Sequence, residues 1–91
     1  MDNGHLIELR SQIDALDCQL RRVFYRRMEI CERIGALKAL DEIPVVDEAR
    51  ESEVLAAVEG ERPEYLEEAL ALMRLVMELS RSRQSKGRAL S

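Results

Sequence analysis

The feature that most constrains the fold is an uninterrupted helical pattern over residues 6–40. This segment contains no proline and one glycine, and an apolar residue recurs every three or four positions, which is the period of an α-helix. Written as heptads, its two columns are Leu6, Ile13, Leu20, Arg27 and Ile34, and Leu9, Leu16, Val23, Ile30 and Leu37. The pattern predicts one long helix whose apolar seam is interrupted only by Arg27.

A helix of this length is too long for one small domain. Residues 6–40 would span about 52 Å, whereas a compact chain of 91 residues has a radius of gyration of about 12 Å. Packing against the same helix of a second chain would cover the overhanging part. We therefore expect an all-α fold in which two three-helix chains form an intertwined homodimeric helix bundle.

A second helix is predicted over 47–59. Pro44 disfavours helical geometry at the residue before it, so the first helix should end there. Asp47 is a suitable N-cap for the second helix, and Gly60 is expected to stop it.

A third helix is predicted over 63–84, since Pro63 fits the first turn of a helix. Residues 85–91 are polar and basic, and we expect them to be frayed or to form a linker. The prediction is a single helical domain over 1–91.

Composition excludes several function classes. A net charge of -4 argues against nucleic-acid binding, which needs a basic face. No apolar run approaches the roughly 20 residues that span a bilayer, and the first residues lack the regions of a signal peptide. We therefore expect a cytoplasmic protein that binds neither membranes nor nucleic acids.

The cysteines do not indicate a metal site. Cys18 and Cys31 are thirteen residues apart, and His5 is the only other soft ligand, which leaves a metal short of ligands. Both thiols are interpreted as reduced and structural.

Each predicted helix becomes polar at one end of its inward face. The polar residues are Arg27 and Lys38 on the first helix, Asp47, Arg50 and Glu51 on the second, and Ser80 and Gln84 on the third. Arg27 and Lys38 lie nearly on the same side, because eleven residues make close to three turns, and they are about 16 Å apart along the axis. The coincidence across three helices predicts a cation-rich pocket inside the bundle.

Other interpretations of these charges remain open. They could be boundary residues whose polar ends reach water, Asp47 could be only an N-cap, and Arg50 could be only a clamp on Asp47 or Glu51. Arg27 is harder to explain, because an unpaired arginine in an apolar seam is costly. With no phosphate loop and no nucleophile paired with histidine, such a pocket suits reactions that hold an anion in one shape and stabilise shifting charge.

The chain resembles the all-helical chorismate mutases of the shikimate pathway. The resemblance covers about residues 6–84 and is carried by "LRSQIDALD", "RRMEICERIGALK", "PVVDEARESEVL" and "MELSRSRQ" in the order of the family. It implies an intertwined homodimer that converts chorismate to prephenate by an intramolecular Claisen rearrangement, in aromatic amino acid biosynthesis. It implies no cofactor and no covalent intermediate.

The resemblance also implies the catalytic residues. Arg27 binds a substrate carboxylate, and Lys38 binds a carboxylate and the ether oxygen. Gln84 donates to the same oxygen from the other side. Arg10 of "LRSQID" binds a carboxylate in the pocket of the partner chain. Its distance from Lys38, about 42 Å of helix, agrees with a crossing between subunits.

The remaining roles concern the other end of the substrate. By the same resemblance, Asp47 and Glu51 hold the ring hydroxyl, Arg50 orders that corner, and Ser80 contacts a carboxylate.

Other functions are also compatible with the sequence. Isochorismate pyruvate lyases and aminodeoxychorismate mutases use similar pockets, although two carboxylates placed for a hydroxyl favour chorismate. A helical dimerisation module could use polar seam residues to set its register. The chain could also be one domain of a longer bifunctional enzyme.

Overall fold

The computed structural model describes residues 3–89 and is entirely helical. It contains α1 (Gly4–Leu40), α2 (Glu48–Val58) and α3 (Leu66–Ala89), with a 3-10 turn (Pro63–Tyr65) before α3. The predicted all-α fold of three helices is confirmed, and no strand occurs among the described residues. None of the helices in this range combines the length and the apolar character that a membrane span requires.

Helix α1 ends in a Schellman motif built around a glutamate. The Glu42 amide donates to the Ala39 carbonyl (3.3 Å), and the Ile43 amide donates to the Lys38 carbonyl (2.8 Å). Glu42 has a φ of 57°, the left-handed conformation that this motif requires and that glycine normally supplies. Pro44 follows directly, so the helix ends close to its predicted end.

Helix α2 begins at the predicted cap. The Asp47 carboxylate accepts a hydrogen bond from the Arg50 amide at 3.0 Å, which satisfies one of the free amides of the first turn. The helix ends at Val58. Gly60 lies in the turn that follows, close to the predicted stop, but it does not have a positive φ, so the helix does not end in a left-handed glycine cap.

The turn between α2 and α3 is held by Arg62. Its guanidinium lies 5.1 Å from the centre of the Tyr65 ring and donates to the Glu64 carboxylate at 2.6 Å. A backbone hydrogen bond and this guanidinium lower the pKa of Glu64. The 3-10 turn beginning at Pro63 is thereby fixed ahead of α3.

Helix α3 is longer than predicted. It continues to Ala89, so the expectation of a frayed segment from residue 85 is wrong as far as 89, while Leu90 and Ser91 lie outside the described residues. Two glycines explain the difference, because a Cβ at Gly35 would lie 2.8 Å from Cα of Gln84, and one at Gly87 would lie 2.8 Å from Cα of Glu32. The backbones of α1 and α3 therefore touch, which packs the end of α3 firmly against α1.

The single chain is extended and has a small core. It measures 62 × 29 × 14 Å with a radius of gyration of 17.3 Å, well above the roughly 12 Å of a compact chain of this length. Cys31 and Met77 are the buried apolar residues of the described chain. Along the first part of α1, half-exposed side chains form an apolar stripe: Leu6, Leu9, Ile13, Leu16, Leu20 and Val23.

Candidate active site

A cavity of about 260 Å³ lies between the C-terminal half of α1, the start of α2 and α3. Seven of the eight residues predicted for the site line it: Arg27, Lys38, Asp47, Arg50, Glu51, Ser80 and Gln84. The apolar part of the wall includes Ile34, Val45, Val54 and Met77. The structure thus brings the polar ends of the three inward faces together.

Arg27 is positioned by the buried hydroxyl of Ser80. Its Nη1 donates to Ser80 Oγ and lies 3.8 Å from the Cys31 sulfur. Ser80 is 6% exposed, and its own hydroxyl donates to the Val76 carbonyl at 2.6 Å. Because a serine has a single O–H donor, Ser80 here supports Arg27 and has no second proton for a ligand.

Lys38 is positioned by two neutral acceptors. Its Nζ donates to the Val45 carbonyl and to Gln84 Oε1, both at 2.9 Å. An ammonium has three N–H donors, so one remains for a ligand. Since Lys38 can only donate, the Gln84 atom that faces it is the amide oxygen, and the Gln84 NH₂ group is left as a donor.

Among the described residues, neither of these two cations has a carboxylate partner. Within residues 3–89, the ion pairs do not include Arg27 or Lys38, and all their side-chain hydrogen bonds go to neutral atoms. Both side chains are half-buried, where an unpaired charge is costlier than in water. The arrangement therefore favours a bound anion.

On the α2 side of the cavity, the Arg50 side chain does not make the contact with Asp47 or Glu51 that the sequence suggested. The Arg50 guanidinium pairs with Glu53 at 3.2 Å, and both side chains are 68% exposed, so this arginine does not clamp Asp47 or Glu51. It is the Arg50 amide that binds Asp47. Glu51 is instead bound by Arg81, whose Nη1 lies 2.7 Å from Glu51 Oε1.

Two residues that line the cavity, Arg81 and Cys31, are not among the residues predicted for the site. Cys31 was interpreted only as a structural thiol. Arg81 directly follows Ser80, but it lies about 100° round the helix from the inward stripe. The adjacency to Ser80 was the available signal for Arg81.

Comparison with known families identifies the chain. A family model described as chorismate mutase type II matches residues 9–85, which include the whole polar wall of the cavity. The chain belongs to this family. No curated protein and no solved structure matches the chain.

One site residue implied by resemblance to the chorismate mutases lies outside the cavity. Arg10 is exposed on the first part of α1, and α1 is a continuous helix from Gly4 to Leu40, so it lies about 42 Å from Lys38. Arg10 is on the same part of α1 as the exposed apolar stripe. The Arg10 side chain cannot reach the cavity of its own chain.

Proposed function

We propose that this protein is a chorismate mutase, an isomerase that rearranges chorismate to prephenate without a cofactor or a covalent intermediate. Membership of the family supports this function. The observation that carries it is the pair of half-buried cations, Arg27 and Lys38, for which the described part of the chain provides no carboxylate partner. The cytoplasmic location and the role in aromatic amino acid biosynthesis are parts of the proposal that rest on the sequence.

In this proposal, the substrate dianion lies between the two cations of α1. Arg27 binds one carboxylate, and Lys38 binds the other. Because the Ser80 hydroxyl and the Gln84 oxygen already hold these cations, little reorganisation is needed when the substrate enters. The flexible substrate is thereby held in its compact reactive conformer, which lowers the entropic part of the barrier.

The reaction needs negative charge to be stabilised at the ether oxygen as the C–O bond breaks. The one remaining Lys38 N–H is shared between the carboxylate that Lys38 binds and the ether oxygen, and the Gln84 NH₂ group is available for the same oxygen. The hydrogen bond from Lys38 to Gln84 Oε1 fixes the orientation of the amide, so its donor side does not depend on the substrate. Donors that bind the transition state more tightly than the ground state raise kcat.

The opposite corner of the substrate carries the ring hydroxyl. We assign this group to the carboxylates of Asp47 and Glu51, each of which has one oxygen in use, by the Arg50 amide and by Arg81 respectively. Ser80 acts through Arg27 in this scheme, and Arg50 contributes positive charge at the entrance.

The proposal includes a homodimer in which Arg10 of the partner subunit completes the pocket. The single chain exposes 7387 Å², against about 5400 Å² for a compact monomer of its mass. The apolar stripe on the first part of α1 accounts for part of this excess, and pairing two such helices would cover it. The same pairing would carry Arg10 away from its own pocket towards that of its partner.

The test is to add chorismate to the purified protein, to follow the loss of its ultraviolet absorbance and to identify the product. Prephenate is the expected product. In a parallel assay with isochorismate, pyruvate with an aromatic acid would assign a lyase, and an absence of turnover of either substrate would favour a dimerisation module. A sedimentation experiment on the same sample should give twice the mass of the chain, and an active monomer would contradict the role of Arg10.

A further inference from the structure

The pocket contains an ion pair between two helices, and one of its members, Arg81, has no role of its own in the proposed function. Arg81 on α3 binds Glu51 on α2 at 2.7 Å, and the two side chains are only 34% and 28% exposed. Both residues line the cavity. The pair therefore borders the space proposed for the substrate and is partly shielded from water, which strengthens the interaction.

Arg81 is placed where it can hold the Glu51 carboxylate in a fixed position for the ring hydroxyl. Helix α2 has no buried residue, and the neighbouring carboxylate, Glu53, pairs within α2 with Arg50. Glu51, in contrast, is bound through Arg81 to α3, and its Oε2 remains as an acceptor. A single carboxylate held in this way can accept a hydroxyl at a fixed place.

The net charge of the pocket gives a second reason to expect that Glu51 needs Arg81. Its wall has four cationic residues, Arg27, Lys38, Arg50 and Arg81, and two anionic residues, Asp47 and Glu51, which leaves a net charge of plus two opposite a dianion. Without Arg81, the Glu51 carboxylate would stand unneutralised beside the substrate. Like charges at short range in a partly buried site oppose binding.

We propose that Arg81 is a positioning residue that neutralises Glu51 and fixes its carboxylate to accept the ring hydroxyl of the substrate. This inference rests on the proposed function. It assigns the recognition of the hydroxyl corner to a contact between α2 and α3, in place of the clamp by Arg50 that the sequence suggested.

The principal variant is Arg81→Met, which keeps the length of the side chain and removes its charge. The KM for chorismate should rise about tenfold, because the unpaired carboxylate opposes the dianion in the ground state and in the transition state alike. For the same reason kcat should stay within about twofold of wild type. Arg81→Lys, which restores a cation, should recover most of the KM.

A double variant separates positioning from a merely structural role. Adding Glu51→Gln to Arg81→Met removes the unpaired carboxylate, so its KM should fall below that of Arg81→Met alone. A contact that only joined α2 to α3, or an Arg81 that bound the substrate directly, would give the double variant an equal or higher KM. Should Arg81→Met not fold by circular dichroism, Arg81→Gln replaces it in both comparisons.

Arg83→Met is the matched control. Arg83 lies two residues further along α3, pairs with Glu32 on α1 and is similarly exposed, but it does not line this cavity. The KM of the Arg83→Met variant should therefore equal that of wild type. A wild-type KM in Arg81→Met, or a double variant no better than the single one, would overturn this inference alone. A wild-type protein without turnover would overturn the proposed function as well.

Discussion

The deep end of the pocket (Arg27, Lys38, Ser80 and Gln84) and its rim (Asp47, Arg50 and Glu51) are both polar, but different contacts organise them. At the deep end, hydrogen bonds between α1 and α3 hold two cations on neutral partners. At the rim, Asp47 caps its own helix and Arg50 pairs one turn further along α2. The deep end is thus arranged by tertiary contacts, whereas most of the rim is arranged by the local chemistry of a helix start.

This comparison predicts different consequences for substitutions in the two regions. A change at the deep end should lower activity with little effect on the fold, since its charges make no stabilising ion pair within residues 3–89. A change at the rim should alter substrate affinity and helix stability together.

The largest effect is expected for Lys38→Ala. Removal of a transition-state donor from such a site costs about 3 to 4 kcal/mol, so kcat/KM for chorismate should fall at least about a hundredfold. Circular dichroism should show the helix content of wild type. Lys86→Ala, on the exposed side of α3, is the control and should keep full activity. Wild-type kinetics in Lys38→Ala would refute the assignment of the deep end.

Arg27→Ala should also lower kcat/KM at least about a hundredfold, because a carboxylate ligand is lost from a partly desolvated site. Stability should change little, since Ser80 keeps its hydrogen bond to the Val76 carbonyl. Arg26→Ala is the matched control, because Arg26 is adjacent and exposed. Equal losses in both variants would mean that the overall charge of the helix, and not the position of Arg27, controls the rate.

At the rim, two substitutions of Asp47 separate the cap from the ligand. Asp47→Asn keeps a capping oxygen, so its unfolding free energy should stay close to that of wild type, whereas Asp47→Ala should lose about 1 kcal/mol. Both should raise the KM, since both remove the carboxylate. Urea unfolding and steady-state kinetics measure the two effects. A KM raised only in Asp47→Ala would show that the cap alone matters.

The smallest effect is expected in the loop that joins the two regions. Glu42 has a left-handed φ of 57°, which is unfavourable for any residue with a Cβ, so Glu42→Gly should stabilise the fold by up to about 1 kcal/mol. Asp41→Gly, at a φ of -95°, should give no gain. Both variants should keep the kinetics of wild type, and an activity loss in Glu42→Gly would show that the loop positions the rim.

The fold and most of the pocket wall could be predicted from helical periodicity. The interval of eleven residues placed Arg27 and Lys38 on one side of α1, and the four-residue steps of α3 led to Ser80 and Gln84; the structure brings all of them to one cavity.

The remaining features depend on tertiary distances that periodicity does not contain. Arg81 reaches Glu51 because its side chain is long and α2 lies close to α3. The extension of α3 depends on Gly87 meeting the backbone of α1, and the left-handed glutamate at position 42 breaks the usual preference for glycine.

The contact of Gly35 and Gly87 with the opposing backbones has a consequence for engineering the pocket. Because main chain meets main chain there, the separation of α1 and α3 beside Lys38 and Gln84 does not depend on side chains that could repack. Substitutions in the apolar wall should therefore reshape the cavity for altered substrates without moving the two helices apart. A larger residue at either glycine would instead widen the whole cleft and change the distance across which Lys38 and Gln84 act together.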